Sequence, residues 1–485
     1  MKVLFFNGMN ITPHIETEME IAVDLMKEGH DVYFVQCRGE LHTCCINFTR
    51  AEWICRDCRS RQKNSFDILG LPPENVLYFK DVPLDEKIIP RKFASMEEVK
   101  EFTFEGSDIG MGVASSLISS YRDHRLDTEK FKKEIYDGIW TSLYVHENAK
   151  KMLDELQPDL VIFFNGRYLE IRPMMRLCEE RGIHFQTHER GGTIEKYILC
   201  DNSTPHSLVN LAREIEEGWE KAPEGKEERG RQFFVDRRNR IMQSWVVFTA
   251  DQERGSLPAG FDRNVKNIVL YNSSLDEYEG IAGISGKIYP TDNVGIARLL
   301  ESLEHREDIH FYLRVHPNLK GLENTQVKEL REIGRRFRNL TIIGAEEVID
   351  TYALMDAADI VVVFGSTMGV EAAFFGKPVV LLGNSFYDRL KGFYIPSTRE
   401  EAVAFLEQDL QPLPSGDDLL KYGYWELERG IYYKYYKAEA LFEGTFMGKS
   451  IAVTPVQKAL NYLLVKGTRK LAKGKRLLNK LKKKS

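Results

Sequence analysis

The stretch "DIVVVFGSTMGVEAAFFGKPVVLLG", residues 359–383, constrains this chain more than any other. An apolar, β-branched run stops at a glycine. Serine and threonine follow where a helix begins, a helical pattern runs to Gly376, and a second apolar run resumes at once. Two strands joined through a helix lie parallel. Parallel strands are covered on both faces, which is why they read as unbroken apolar runs rather than alternating ones. The stretch therefore demands a layered α/β fold, and ligands of such folds sit at the carboxyl ends of the strands.

The same rhythm recurs in two series. In the first half, "KVLFF", "DVYFV", "DLVIFF" and "IHFQTHE" read as strands. Ile15, Met19, Ala22 and Met26 mark an intervening helix, and 168–181 another. In the second half, "SWVVFTA", "NIVLYNSS", "IHFYLRV", "NLTIIG", "DIVVVFG" and "PVVLLG" read as strands, with helices over 293–305, 323–338 and 348–357. A chain of 485 residues is too long for one ordinary core. The expectation is two Rossmann-like domains facing a cleft. Residues 1–245 form the first, including a charged helical stretch over 205–245; residues 246–445 form the second; 446–485 form a basic helical tail.

Three strand ends of the second half carry polar groups suited to an anion. "LYNSS" ends on Ser273 and Ser274, and "RVHPN" on Arg314, His316 and Pro317. The third supplies Gly365 for a tight turn, then Ser366 and Thr367 at a helix start, where free backbone N–H groups and hydroxyls favour phosphate. Arg314 and His316 add donors from another strand end, and Pro317 stiffens the turn. In the first half, "LFFNG" and "VIFFNG" both end on Asn-Gly, at Asn7 and Asn165, and Arg167 follows the second. "THERGGT" then places Glu189 and Arg190 before two glycines. A carboxylate there can deprotonate an acceptor hydroxyl, which makes Glu189 the preferred general base and His188 its rival.

The pairing of "RVHP" with "GSTMGVEAAFFGKPVV" resembles the donor half of GT-B glycosyltransferases, in particular those of bacterial capsule and surface polysaccharides that include Kdo transferases and sialyltransferases. The resemblance covers 250–385 well and the first domain only in outline. It implies that His316, Ser366 and Thr367 contact the phosphate of a nucleotide-sugar donor, with a tilt towards CMP-sugars. It gives Glu371 the ribose and makes the acceptor a glycan or glycolipid, for which Asn7, Asn165, Arg167 and Arg190, read from the first half's own residues, are the candidates. It further implies transfer without a catalytic metal, in keeping with the lack of any Asp-x-Asp triplet at a strand end. A nucleotide-sugar epimerase, a glycerophosphotransferase and a non-catalytic polysaccharide assembly protein are the alternatives. Turnover of donor without acceptor would mark the epimerase.

Five of seven cysteines fall between 37 and 58. Cys55 and Cys58 have knuckle spacing, and Cys37 with Cys44 (or Cys45) completes four thiolates. Structural zinc is expected there, ahead of an iron–sulfur cluster. The net charge is −6, but residues 444–485 carry +12 with no acidic residue, leaving −18 on the rest. Leucines interleave these lysines, so the tail reads as an amphipathic helix for an anionic membrane surface. Tyr462 is its only mid-tail aromatic, which argues against nucleic acid. No apolar run reaches membrane-spanning length, and the first residues run straight into a strand. The expected location is therefore cytoplasmic, at the inner face of the plasma membrane.

Overall fold

The computed structural model describes residues 1–6, 8, 10–243, 246–284 and 286–460. The first sheet comprises β1 (Lys2–Phe5), β2 (Asp31–Gln36), β3 (Val76–Tyr78), β4 (Leu160–Phe164), β5 (Phe185–Arg190) and β6 (Lys196–Asp201). The second comprises β7 (Lys266–Tyr271), β8 (Ile309–Arg314), β9 (Leu340–Ile343), β10 (Ile360–Val363) and β11 (Val379–Leu381). Later come β12 (Ile431–Tyr432) and a hairpin of β13 (Tyr436–Ala440) and β14 (Glu443–Phe446).

The second sheet is wholly parallel, in the order β11-β10-β7-β8-β9. Its β10 shows why the sequence there is apolar throughout. Val361 and Val363 face one hydrophobic cluster, while Ile360 and Val362 face the other. Each side chain buried this way contributes about 1.5–3 kcal/mol relative to exposure. The order reverses between β7 and β10. Tyr271 pairs with both Val363 and Arg314, so β10, β7 and β8 end at one level. The first sheet, in the order β12-β6-β5-β4-β1-β2-β3, reverses between β1 and β4. Both domains thus present the crevice that binds ligands in open α/β sheets.

Three expectations need correction. The helices Leu208–Glu220 and Lys226–Arg238 do not belong to the first domain. Leu211, Ile215, Phe233 and Phe234 share a core with Val269, Val361, Tyr422 and Trp425, so the second domain begins near 208. The end of the second domain also moves. After the helix Asp418–Glu428 the chain returns, and β12 joins the first sheet beside β6. The backbone N–H of Lys434, Tyr435 and Tyr436 donates to Glu20 at 2.5–3.0 Å. Phe446 and Ile451 pack on Ile15, Met19 and Val23, so residues 431–451 complete the first domain and 446 does not begin a tail. Finally, "SWVVFTA" is no strand: residues 246–250 form coil and a turn. Residues 461–485, most of the basic tail, lie outside the described residues.

The domains also touch through side chains. Arg122 pairs with Asp276 and donates to Asn318 O at 3.1 Å. Lys100 meets Glu279 at 3.2 Å, and Asn324 Nδ2 donates to Arg122 O at 2.6 Å.

Candidate functional site

A cavity of about 160 Å³ opens where β7, β8 and β10 end, and His316, Pro317, Ser366 and Thr367 line it. Aromatic walls come from Phe233, Phe248 and Tyr352. His316 is fixed from two sides. Its N–H donates to Asn272 Oδ1 at 2.9 Å, and its Nδ1 accepts from Asn318 N at 3.2 Å. An accepting Nδ1 leaves the ring proton on Nε2. Burial pulls the imidazole down to about 4, so it is a neutral donor. Pro317 opens the short 3₁₀ turn that aims this ring.

On the facing strand end, Gly365 has φ +141° and a Cβ there would lie 2.8 Å from Asn384 O, so only glycine suits the turn. Ser366 Oγ accepts from Met368 N at 3.3 Å, and Tyr387 donates to Ser366 O. Thr367 takes the N-cap position of the helix Met368–Phe374.

Arg314 lines the cavity but is committed elsewhere. Its guanidinium donates to the carbonyls of Gly344 and Glu347, both at 3.0 Å, and so braces a loop instead of offering a free phosphate fork. Glu371 is wholly buried, accepting from Arg237 Nε at 2.8 Å and Tyr352 Oη at 2.6 Å, which leaves no carboxylate face for a ribose. Ser273 and Ser274 do not line the cavity: Ser273 N donates to Asp292, and Ser274 Oγ to Asp276. The cation that does reach the hydroxyls is Arg237, 3.4 Å from Thr367 Oγ1. Nothing local in the sequence marks it, because it comes from a helix 130 residues upstream.

The first-domain group gathers at the ends of β4 and β5. Glu189 Oε2 accepts from Asn165 Nδ2 at 3.2 Å, and Oε1 from Arg190 N at 3.0 Å. Burial raises the Glu189 carboxyl above its ordinary range, against the pull of those donors and of Arg190 and Arg167. Arg167 lies over the Tyr168 ring, and Arg190 donates to Thr12 O at 3.3 Å. His188 points to the opposite face, as neighbours on a strand do. It has no exposure, sits 3.2 Å from Glu18, and is pushed down to about 3 by burial, so it is not an accessible rival base. Gly191 and Gly192 serve packing: a Cβ on Gly192 would lie 2.2 Å from Glu426 O. Asn7 lies outside the described residues.

Glu277, which the sequence did not single out, lies beside the His316 turn. Asn318 donates to it, two residues beyond His316. Its carboxyl is pushed up to about 7, first by burial in the cleft and then by Asp276, against Arg122 and Arg167, although the residue keeps an exposed face.

Residues 266–393, the stretch that brings His316, Ser366 and Thr367 to the cavity, match the family model described as capsule polysaccharide biosynthesis protein. No curated protein matches the chain. Among solved structures it is similar to the β-Kdo 2,4 transferase of KpsC from Thermosulfurimonas dismutans, at 15% identity over 55% of this chain and 87% of that one, TM-score 0.33. The β-Kdo 2,7 transferase of the same KpsC gives 16% identity over 58% and 88%, TM-score 0.31. UDP-GlcNAc 2-epimerase from Neisseria meningitidis, bound to UDP-GlcNAc, gives 12% identity over 97% and 100%, TM-score 0.27. Likenesses this low carry no functional weight, which rests on the family match and on the cavity.

Proposed function

We propose that the chain is a glycosyltransferase moving a sugar from a nucleotide-sugar donor to a surface-polysaccharide or glycolipid acceptor. The observation that carries this reading is the convergence of His316, Ser366 and Thr367 on one cavity at the switch point of the matched domain. The neutral Nε2–H of His316, the two hydroxyls and Arg237 would meet the donor phosphate, and the aromatic walls would take the base. A CMP-sugar is the preferred donor. Glu189 would accept the proton of the attacking hydroxyl while Asn165 holds the carboxylate still. Its raised pKa suits a base, since a more basic carboxylate takes a proton more readily. The transfer needs no divalent metal in this scheme. The leucine- and lysine-rich sequence at the C-terminal end supports an anionic membrane surface as the place of work.

Calorimetry with CMP, CDP, UDP and GDP tests the donor half. One nucleotide should bind to the wild type and weaken in Thr367→Ala. A folded wild type that binds none would overturn the proposal. Glu189→Gln should bind that nucleotide normally yet transfer sugar about 10²–10⁴-fold more slowly.

A further inference from the structure

A second cavity, of about 60 Å³, lies in the first domain behind the loop that follows β1, and Cys37, Cys44, Cys55 and Cys58 all line it. Cys37 leaves the end of β2, and Cys44 sits in the following loop. Cys55 and Cys58 stand three residues apart on the helix Glu52–Leu69 and so share one face. Three of the four sulfurs accept an N–H. Gly39 N reaches Cys37 Sγ at 3.2 Å, Asn47 Nδ2 reaches Cys55 Sγ at 3.2 Å, and Asn10 Nδ2 reaches Cys58 Sγ at 3.1 Å. A neutral thiol is a weak acceptor, so donors on Cys37, Cys55 and Cys58 fit a site built for thiolates.

The spacing of the sulfurs decides what they would hold. A tetrahedral zinc with bonds of 2.3 Å draws its sulfurs to about 3.8 Å from one another. Among the described residues, no three of these sulfurs lie within 4.8 Å of one another. They stand instead around a space with room for about four water-sized bodies. Its other walls are largely apolar, with Phe6, Ile54 and Phe79, and Arg59 brings a positive charge to the rim. Cys45 is set apart, its Sγ donating to the buried Glu170 at 2.6 Å. We infer that Cys37, Cys44, Cys55 and Cys58 hold an iron–sulfur cluster in the first domain. Each thiol releases its proton to solvent as its bond to iron forms. With all four positions taken by protein the cluster is a staple. It ties the 37–51 loop, which buries few side chains of its own, to the helix Glu52–Leu69 and, through Asn10, to the loop after β1.

The test uses the full chain, expressed with iron and purified without oxygen, with iron, acid-labile sulfide and zinc measured per chain. The expected result is about four irons with equal sulfide, a broad visible absorption that dithionite bleaches, and zinc near zero. Cys58→Ser and Cys44→Ser should lose at least nine-tenths of the iron, while Cys45→Ser keeps it. One zinc per chain without sulfide would overturn the inference, and so would a metal-free protein with four free or disulfide-linked cysteines. The wild-type content decides between these outcomes whether or not the serine variants fold.

Discussion

Replacing His316 with alanine removes one neutral N–H donor aimed at a charged oxygen. A hydrogen bond to a charged group contributes about 1.5–3 kcal/mol, so nucleotide affinity should fall about 10- to 150-fold. The protonation state gives a sharper check. Burial holds the ring at about 4, so it stays uncharged between pH 6 and 8. Titration calorimetry of wild type and His316→Ala across that range should give a constant ratio of dissociation constants, and taking the ratio cancels the ionisation of the nucleotide itself. A ratio that climbs tenfold from pH 8 to pH 6 would mean that an imidazolium binds the phosphate, against the hydrogen-bond pattern described. A ratio near one throughout would mean that the ring never touches the ligand.

The raised carboxyl of Glu189 acts as its base only when ionised. Transfer should therefore fall as pH drops through a value above the ordinary 4.5, and this limb should vanish in Glu189→Gln when initial rates are followed. Glu371→Ala strips Arg237 and Tyr352 of their buried partner and should cost about 3 kcal/mol by urea unfolding, the low end for a buried pair because Arg237 is partly exposed. Burial alone would raise the Asp108 carboxyl, but hydrogen bonds from Arg176 and Arg172 bring it down to about 2. Its stabilisation is present above the unfolded value near 3.8 and is lost as pH falls towards 2. Asp108→Asn should thus lose up to about 2 kcal/mol at pH 7 and show a flatter acid unfolding curve.

The strands of the second domain were legible because parallel, doubly covered strands leave continuous apolar runs, and β7 to β11 all fall on runs read that way. The strand-end rule then led to His316, Ser366 and Thr367, which do share a cavity. It failed where a side chain's partner lies far along the chain. Arg314 and Glu371 sit where the pattern places ligand groups, yet one answers to carbonyls some thirty residues away and the other to Arg237. Sequence spacing carries no record of such contacts. The helix Leu208–Glu220 shows a further limit. Its stripe of Leu211, Ile215 and Trp219 announces a buried face but not which of two sheets will cover it.

The return of the chain at β12 has a mechanical consequence. The domains are joined by two short covalent crossings, one between Asp201 and Leu208 and one between Glu428 and Ile431. They run close together, since β12 pairs with β6 and the helices Leu208–Glu220 and Asp418–Glu428 share a core. One strap would let the halves swivel. Two straps side by side resist that twisting more than one would. The side-chain pairs Arg122–Asp276 and Lys100–Glu279 add a non-covalent tie between the same two domains, so the halves are held by contacts as well as by the doubled chain.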